Sequence, residues 1–271
     1  MILIRKIERK RGENLMKQLL IRADDLGYSD GVNYGIAKAV NKGVVKSVGV
    51  MTNMPTAMDG LKLLKKENVC LGQHTNICVG KPITDPALIP TLCKEDGCFK
   101  TSREYRKSKT EGIDFVNLDE VVMEIEAQYK KFIELTGKRP EYFEGHAVAS
   151  DNFFKGLKIV AERYNLPYLE MPKETSDYVM FRNTKIYCYI PKDFAEYEKN
   201  PFTAVQDAVL NLHEDGCDML VFHPGYIDDY LLKNSSMTMI RAVETEMLSN
   251  SKVKNWLEQQ DLRLVTYSDL K

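Results

Sequence analysis

The chain has 271 residues, with 38 Lys and Arg against 39 Asp and Glu, a net charge of −1 and a hydrophobic fraction of 44%. This charge balance provides no field that would gather nucleic acid or an anionic membrane surface, and no apolar run approaches the roughly 18 residues of a membrane helix. We therefore expect neither nucleic acid nor membrane as a partner, and the length suits one large domain or two small ones.

The first 15 residues are basic but lack the apolar core and the small-residue cleavage site of a secretory signal. Met16 directly precedes the first predicted strand, so we interpret residues 1–15 as a dispensable leader and 16–271 as the folded domain. The six cysteines show no CxxC spacing, and a chain of this size needs no disulfide framework. A reducing cytoplasm is the expected location. Cys93 and Cys98, in a polar loop, are an alternative metal-binding pair.

Short apolar segments alternate with stretches of helical periodicity, which is typical of βα units. Strands are predicted at 18–23, 45–51, 69–74, 141–146, 167–171, 185–190, 218–223 and 262–267, and helices at 31–42, 55–67, 117–136, 151–164, 200–213 and 236–258. Segment 80–116 has no clear periodicity. A loop of this length usually forms a lid or a substrate wall, and the alternative is a disordered insertion. Since the chain shows no internal repeat, we predict one barrel-like α/β domain.

Chemically reactive side chains follow several of the predicted strands. They are Asp24 and Asp25 after the first, Asn53 after the second, His74 at the third, Glu144 and His146 at the fourth and His223 at the seventh. Each alone has a structural explanation, as a turn residue, a helix cap or a core histidine. In a βα barrel, however, the carboxyl ends of the strands converge on one face, so their shared position indicates a site.

Two histidines and one carboxylate are the usual ligands of a catalytic divalent metal. His74, His146 and either Asp24 or Asp25 supply that set. The remaining aspartate can then accept a proton from a water molecule, and His223 can donate a proton to the leaving group. Metal, base and acid together indicate the hydrolysis of an ester or an amide.

Five separated segments also carry a family resemblance: ADDLGYSDGVNYGI, GVVKSVGVMTNMP, LGQHTN, TGKRPEYFEGH and LVFHPGY. In order and spacing they resemble the YdjC-like carbohydrate deacetylase family, which includes chito-oligosaccharide deacetylases. The resemblance extends from Lys17 to the C-terminus. It implies a distorted (β/α) TIM-like barrel that removes the N-acetyl group from an acetylated amino sugar, with a divalent metal ion, Mg or Zn, as cofactor.

Matched by position, the resemblance implies that Asp24 is the catalytic base and that Asp25, His74 and His146 bind the metal. His223 matches a histidine of the family site, and its role as proton donor is our own assignment. The fourth-strand motif departs from the family pattern of an aspartate followed by several histidines. Here it reads FEGHAVAS, with Glu144 in the acidic place and no histidine at 147–150. We expect this departure to change substrate, proton transfer or metal preference rather than the fold.

Three further residues are predicted to contact the substrate. Asn53 and Tyr226 could hydrogen-bond sugar hydroxyls, with turn stabilisation as the alternative. Arg241 could contact a sugar or a phosphate, or could form an exposed helical pair with Glu244.

The sequence thus predicts a cytoplasmic, metal-dependent hydrolase of a small acetylated sugar, free or phosphorylated, that forms a homodimer. The aromatic residues Phe99, Tyr105 and Tyr230 could stack on a sugar ring. One alternative is a barrel metal hydrolase with a different substrate. The other is a catalytically inactive sugar-binding protein.

Overall fold

The computed structural model describes residues 16–65, 69–146, 148–171 and 176–271. The predicted leader 1–15, the end of the predicted helix 55–67, and Ala147 of the altered fourth motif lie outside these ranges.

A curled sheet of eight strands forms the centre of the described chain. The strands are β1 Lys17–Leu26, β2 Ser47–Val50, β3 Cys70–Thr75, β4 Tyr142–Gly145, β5 Val179–Phe181, β6 Thr184–Cys188, β7 Cys217–Phe222 and β8 Leu262–Val265. Seven of them lie in the order β4-β3-β2-β1-β7-β6-β5, and β8 pairs with β1. Each pairing is parallel except that of β5 with β6. This architecture confirms the predicted distorted α/β barrel.

Strand β1 is the longest and is paired along both edges. β7 pairs with residues 18–23 on one edge, whereas β8 and β2 share the other edge, with β8 opposite 17–20 and β2 beginning opposite Arg22. Every residue from Leu19 to Leu26 is buried. Two carboxylates, Asp24 and Asp25, therefore lie in the buried part of this strand, and charges in such a place need partners.

Ten α-helices cover the sheet in the described ranges. They are α1 Asp30–Asn41, α2 Ala57–Leu63, α3 Ser102–Thr110, α4 Leu118–Thr136, α5 Asp151–Tyr164, α6 Phe194–Lys199, α7 Phe202–Leu210, α8 Asp229–Asn234, α9 Met239–Leu248 and α10 Ser251–Glu258. The predicted helix 236–258 is two helices, because the Asn250 side chain accepts a hydrogen bond from Lys252 N and starts α10. Within the described ranges, no helix combines the length and apolar character needed to cross a membrane.

The predicted strand at 167–171 is wrong. Tyr168 makes one isolated parallel bridge to Phe143 beside β4, and Pro167 has no N–H to extend the pairing. The missing strand is β5, which forms an antiparallel hairpin with β6. Its turn places Arg182 at φ 53 without the glycine that usually indicates such a turn.

Segment 80–116 is an ordered wall, and the disordered alternative does not hold. It contains α3, a bridge between Cys93 and Phe99, and a buried apolar cluster shared with α4 and α5. Phe99 and Tyr105 are buried in that cluster, and the Tyr105 hydroxyl donates to Ile77 O at 3.1 Å. These two rings therefore have no face free to stack on a sugar.

Candidate metal site and catalytic cavity

A local irregularity in β1 brings its two neighbouring carboxylates to the same histidine. In a regular strand, adjacent side chains point to opposite faces. Between Ala23 and Leu26, however, the pairing register with β2 shifts, and Asp25 has a left-handed φ of 77. Asp24 and Asp25 consequently both lie beside His74. A non-glycine residue in this conformation stores about 1–3 kcal/mol of strain, which is typical of functional sites.

Three ligand atoms from three strand ends converge at the predicted metal site. Asp25 Oδ1 lies 3.2 Å from His74 Nε2 and 3.3 Å from His146 Nδ1, and the two nitrogens are 2.9 Å apart. Ligand atoms about 2.0–2.2 Å from a zinc or magnesium ion are themselves about 2.8–3.6 Å apart. Asp25 Oδ1 is also buried with no hydrogen-bond partner. Both the spacing and the free oxygen fit a divalent cation.

A second cluster, formed by Asp24, His74 and Glu144, is an ion-pair network. Arg22 Nη2 lies 2.7 Å from Asp24 Oδ2 and 3.7 Å from Glu144 Oε2, so a guanidinium already supplies the positive charge there. Glu144 Oε1 bonds His74 Nδ1, and Arg22 Nη1 donates to the Tyr267 hydroxyl at 2.9 Å. A carboxylate on the far nitrogen of a ligating histidine orients the ring and selects its tautomer.

The charged groups of the site shift one another's pKa values. Burial would raise the pKa of Asp25, but Arg241 and the two histidines outweigh it and hold that pKa well below its usual value. Burial would lower the pKa of His74, but Glu144 and Asp24 raise it to about 10. The pKa of His146 is raised by Cys78 and Asp25 against the effect of burial. Because His74 Nε2 and His146 Nδ1 are hydrogen-bonded at 2.9 Å, one of these two nitrogens carries a proton and the other accepts it.

Asp24 lies close to the cluster but is shielded from the cavity. It is 2% exposed, and its Oδ1 is buried with no hydrogen-bond partner. Burial raises its pKa, while Arg22 acts in the opposite direction. Arg22 and Glu144, rather than Asp24, line the cavity. The structure brings Asp24 to His74 but gives it no direct contact with the cavity.

His223 follows β7, and Arg241 connects it to Asp25 by contacting both residues. Arg241 Nη2 lies 2.7 Å from Asp25 Oδ2, and Arg241 Nη1 donates to His223 O at 3.3 Å. The backbone N–H of His223 donates to Glu244 Oε2 at 2.6 Å, and the Tyr197 hydroxyl donates to Glu244 Oε1. Arg241 and Glu244 are both buried, so the exposed helical pair is not formed.

The environment of His223 favours a neutral imidazole. Loss of hydration lowers its pKa to about 3, and Arg241 and the two cluster histidines act in the same direction against Asp25. A bound cation would lower it further. The ring is therefore suited to hydrogen bonding in its neutral form more than to proton donation.

These groups form the floor of a cavity of about 500 Å³. Its walls come from the ends of β3, β4, β6 and β7, from α3, and from the segment between α8 and α9. Ser102 and Arg106 of α3 line one side, and Ser235 and Ser236 line another. The volume lies within the range of about 300–1,000 Å³ that is usual for small-molecule sites.

Two predicted substrate contacts lie outside the described residues that line this cavity. The Asn53 amide donates to Val79 O at 3.1 Å and to Lys81 O at 3.0 Å, so it connects the loop after β2 to residues 79–81. The Tyr226 ring lies below the Lys38 ammonium, 5.7 Å from its centroid. Both residues therefore make local stabilising contacts, which was the alternative to a substrate contact.

The sequence did not predict that Arg22 pairs with Asp24, that Glu244 accepts from His223 N, or that Glu144 pairs with His74. The available signals were weak. Arg22 is a charge inside an apolar strand, and Glu144 stands in the acidic position of an altered motif. Glu244 lies in an ordinary amphipathic pattern on α9, which gives no hint of its contact with His223.

The fold and the cluster together define an α/β barrel that carries a candidate metal site at the carboxyl ends of its strands. Residues 18–259 match the model of the family described as YdjC-like protein, and the chain belongs to that family. It is 31% identical to carbohydrate deacetylase 2 of Listeria innocua serovar 6a over 258 residues, 93% of this chain and 98% of the relative. It is 28% identical to the carbohydrate deacetylase of Thermoanaerobacter pseudethanolicus, over 94% of this chain and 100% of the relative.

One solved structure supports the same fold. A protein from Enterococcus faecalis V583, assigned to cellobiose-phosphate cleavage, aligns with a TM-score of 0.76 and 25% identity. The alignment covers 94% of this chain and 98% of that protein. The barrel is therefore common to both chains over nearly their whole lengths.

Proposed function

We propose that this protein is a divalent-metal-dependent carbohydrate deacetylase that hydrolyses the N-acetyl amide of a small acetylated amino sugar and releases acetate. The observation that carries the proposal is the convergence of Asp25 Oδ1, His74 Nε2 and His146 Nδ1 within 3.3 Å of one another at the floor of the cavity. The names of the relatives, carbohydrate deacetylases from several bacteria, support the reaction class.

Asp25, His74 and His146 would hold the cation. Two imidazole nitrogens favour zinc or another transition metal over magnesium, which prefers oxygen ligands. In such a site the cation supplies Lewis acidity toward the amide carbonyl and toward water. Glu144 fixes the ring of His74 through Nδ1, and Arg241 holds the second oxygen of Asp25, so both ligands are preorganised.

Amide hydrolysis also needs a group that accepts a proton and a group that assists the departing amine. In this proposal Asp24 keeps its predicted role as base, supported by its free Oδ1 beside His74. His223 at the cavity wall acts as a neutral hydrogen-bond partner of the reacting amide. Its low pKa argues against the predicted role of proton donor.

The shielding of Asp24 favours a second candidate, a sugar-binding protein without turnover. In that case Asp24 serves only as the counter-ion of Arg22, with which it forms a buried ion pair of 2.7 Å. The residues around the metal site are common to both candidates, so catalysis must be measured to separate them.

The decisive experiment measures metal content and acetate release together. Protein purified without chelator is assayed on N-acetylglucosamine, diacetylchitobiose and its phosphate, with cellobiose phosphate as a further substrate. Asp25→Asn, His74→Ala and His146→Ala should lose bound metal and activity, whereas Asp24→Asn should keep the metal and lose activity. His213→Ala is the matched control, because His213 stacks on Tyr187 outside the cavity lining.

Unchanged metal content in the Asp25 and histidine variants would contradict the ligand assignment. Stoichiometric sugar binding without turnover in any divalent metal would establish the second candidate. Release of glucose phosphate from cellobiose phosphate, without acetate from the other sugars, would show that the protein hydrolyses a glycosidic bond instead of an amide.

A further inference from the structure

His223 is held at the cavity by its backbone. Met219, Val221 and His223 are two positions apart along β7 and its continuation, and all three line the cavity, so the imidazole points into it. The hydrogen bonds that His223 makes with the described residues involve its backbone N–H and its carbonyl oxygen. The position of the ring therefore depends on whatever holds this stretch of main chain.

Helix α9 holds the three residues from His223 to Gly225. Glu244 Oε2 accepts from the His223 N–H at 2.6 Å, and Arg241 Nη1 donates to His223 O at 3.3 Å. The Gly225 N–H donates to Arg241 O at 3.1 Å, whereas Pro224 has no N–H to donate. Every backbone N–H of these three residues is consequently bonded to α9.

Helix α1 confines the same stretch from another side. The Tyr226 N–H donates to Gly31 O at 2.8 Å. A Cβ on Gly35 would lie 2.4 Å from Gly225 Cα, so the backbone of α1 packs directly against this stretch. The stretch thus lies between two helices, and it can move only if contacts to them break.

Glu244 is the member of this arrangement that acts on His223 without binding a metal ligand. Arg241 also pairs with Asp25, so its loss would disturb the metal site as well. The two oxygens of Glu244 accept instead from the Tyr197 hydroxyl and from the His223 N–H. Glu244 is only 1% exposed, so a side chain without an acceptor at this position would leave that N–H without a partner.

We infer that Glu244 is a positioning residue for the reaction, because its hydrogen bond to the His223 N–H fixes the imidazole where it meets the substrate amide. The inference rests on the proposed function, in which His223 is the hydrogen-bond partner of that amide. Misplacement of such a group by about 1 Å can lower a rate by about 100-fold. Since the hydrogen bonds of Glu244 bypass the three proposed metal ligands, we expect an effect on kcat and none on metal affinity.

The first test compares two substitutions of Glu244. Glu244→Leu removes the acceptor and should lower kcat for diacetylchitobiose by about 10- to 100-fold. Glu244→Gln keeps an oxygen that can accept from the His223 N–H, so its kcat should stay within about threefold of the natural value. Zinc affinity, measured by calorimetric titration of chelator-treated protein, should stay within about threefold in both variants.

Tyr197→Phe is the matched control, because it removes the other partner of the same carboxylate and leaves the bond to His223 in place. Its kcat should resemble that of the natural protein. Equal losses of kcat in Glu244→Leu and in either Glu244→Gln or Tyr197→Phe would overturn the inference. An unchanged kcat in Glu244→Leu, or a loss of zinc affinity that parallels the loss of kcat, would overturn it too.

A second test observes the ring without any assay of turnover. The chain has four histidines, so the ring-nitrogen NMR signals of His223 can be assigned by their loss in His223→Gln. In zinc-loaded protein these signals should be alike in the natural chain and in Glu244→Gln, and should shift or broaden in Glu244→Leu. The signals of His213, which stacks on Tyr187, should stay unchanged.

Unchanged His223 signals in Glu244→Leu would overturn the inference, whether or not the protein releases acetate. Absence of acetate release from the natural protein would instead refute the proposed function, and the ring signals would then decide the positioning alone. If Glu244→Leu does not fold, Glu244→Ala replaces it in both tests. In the natural protein the His223 N–H should exchange slowly with solvent, and rapid exchange would overturn the inference without any variant.

Discussion

Arg241 of α9 and Asp25 of β1 form a buried ion pair, with Nη2 and Oδ2 2.7 Å apart, although the two residues are 216 positions apart in the chain. The arginine occupies one carboxylate oxygen and leaves the other free toward His74 and His146. The pair therefore orients a metal ligand and compensates its charge.

Arg241→Gln should destabilise the metal-free protein by about 3–5 kcal/mol, because it leaves Asp25 buried without a full compensating charge. Saturating zinc should then stabilise the variant more than the natural protein, since the cation replaces the missing charge. Urea unfolding with and without zinc measures both effects. Arg263→Gln is the control: its pair with Asp269 is largely exposed, so a loss of at most about 1 kcal/mol is expected.

Glu144→Gln should weaken zinc binding by about 10- to 100-fold, because the His74 ring loses the carboxylate that orients it. Calorimetric titration of chelator-treated protein measures the affinity without any assay of turnover. Glu170→Gln removes another carboxylate that lines the same cavity, but Glu170 pairs with Lys158. If the two variants bind zinc equally well, Glu144 has no positioning role.

Gly49 of β2 has no side chain, and Asp24 and His74 occupy the space that a side chain would fill. A Cβ at this position would lie 2.7 Å from Asp24 Oδ1 and 3.1 Å from His74 Cβ. Gly49→Ala should thus displace one of these side chains, lower stability by about 1–3 kcal/mol and reduce zinc affinity. Ser47→Ala, on the same strand, removes a hydroxyl without adding volume and should retain the affinity. A crystal structure of Gly49→Ala with both side chains in place would refute this explanation.

Zinc binding should release protons. In the metal-free protein, the pKa of His74 is about 10, and the hydrogen bond between His74 Nε2 and His146 Nδ1 contains one proton that a cation bound to both nitrogens must displace. The affinity should therefore rise with pH, by about 10-fold per unit for each displaced proton. Titrations in buffers of different ionisation enthalpy give the number of protons released. A value near zero at pH 7 would contradict the charge state assigned to the histidines.

Glu244 should make the protein less stable as the pH rises. Burial raises its pKa from 4.5 to about 7, so between these values the folded state binds more protons than the unfolded state. The free energy of unfolding consequently falls as the pH rises through this window, by up to about 3 kcal/mol. Glu244→Gln should remove most of that dependence, as measured by urea unfolding at pH 5 and pH 8. Glu258→Gln, at an exposed residue, should leave it unchanged.

Long, strongly periodic segments were predictable from the sequence. The helix predicted at 117–136 is Leu118–Thr136, and that predicted at 151–164 is Asp151–Tyr164. The side chains of Ser150 and Asn117 cap the N-termini of these two helices. The strand predicted at 185–190 is β6, but its hairpin partner β5 was not predictable, because three residues carry little periodicity and the turn lacks glycine.

The candidate site was predictable only in its outline. Convergence of strand ends brings Asp25, His74, His146 and His223 to one cavity, as expected for parallel strands of a barrel. Their partners come from distant parts of the chain, and no local pattern pairs Arg241 with Asp25 or Tyr267 with Arg22. The cytoplasmic location and the homodimer remain predictions.

The pairing of β1 with β8 has a consequence for the order of events during synthesis. Arg22, which holds Asp24, is itself held by the Tyr267 hydroxyl, 245 residues later. At a translation rate of about 5–20 residues per second, the first strand waits roughly 10–50 s for this partner. During that interval its aspartates and arginine lack their final environment, so a competent site can form only when the last strand has left the ribosome.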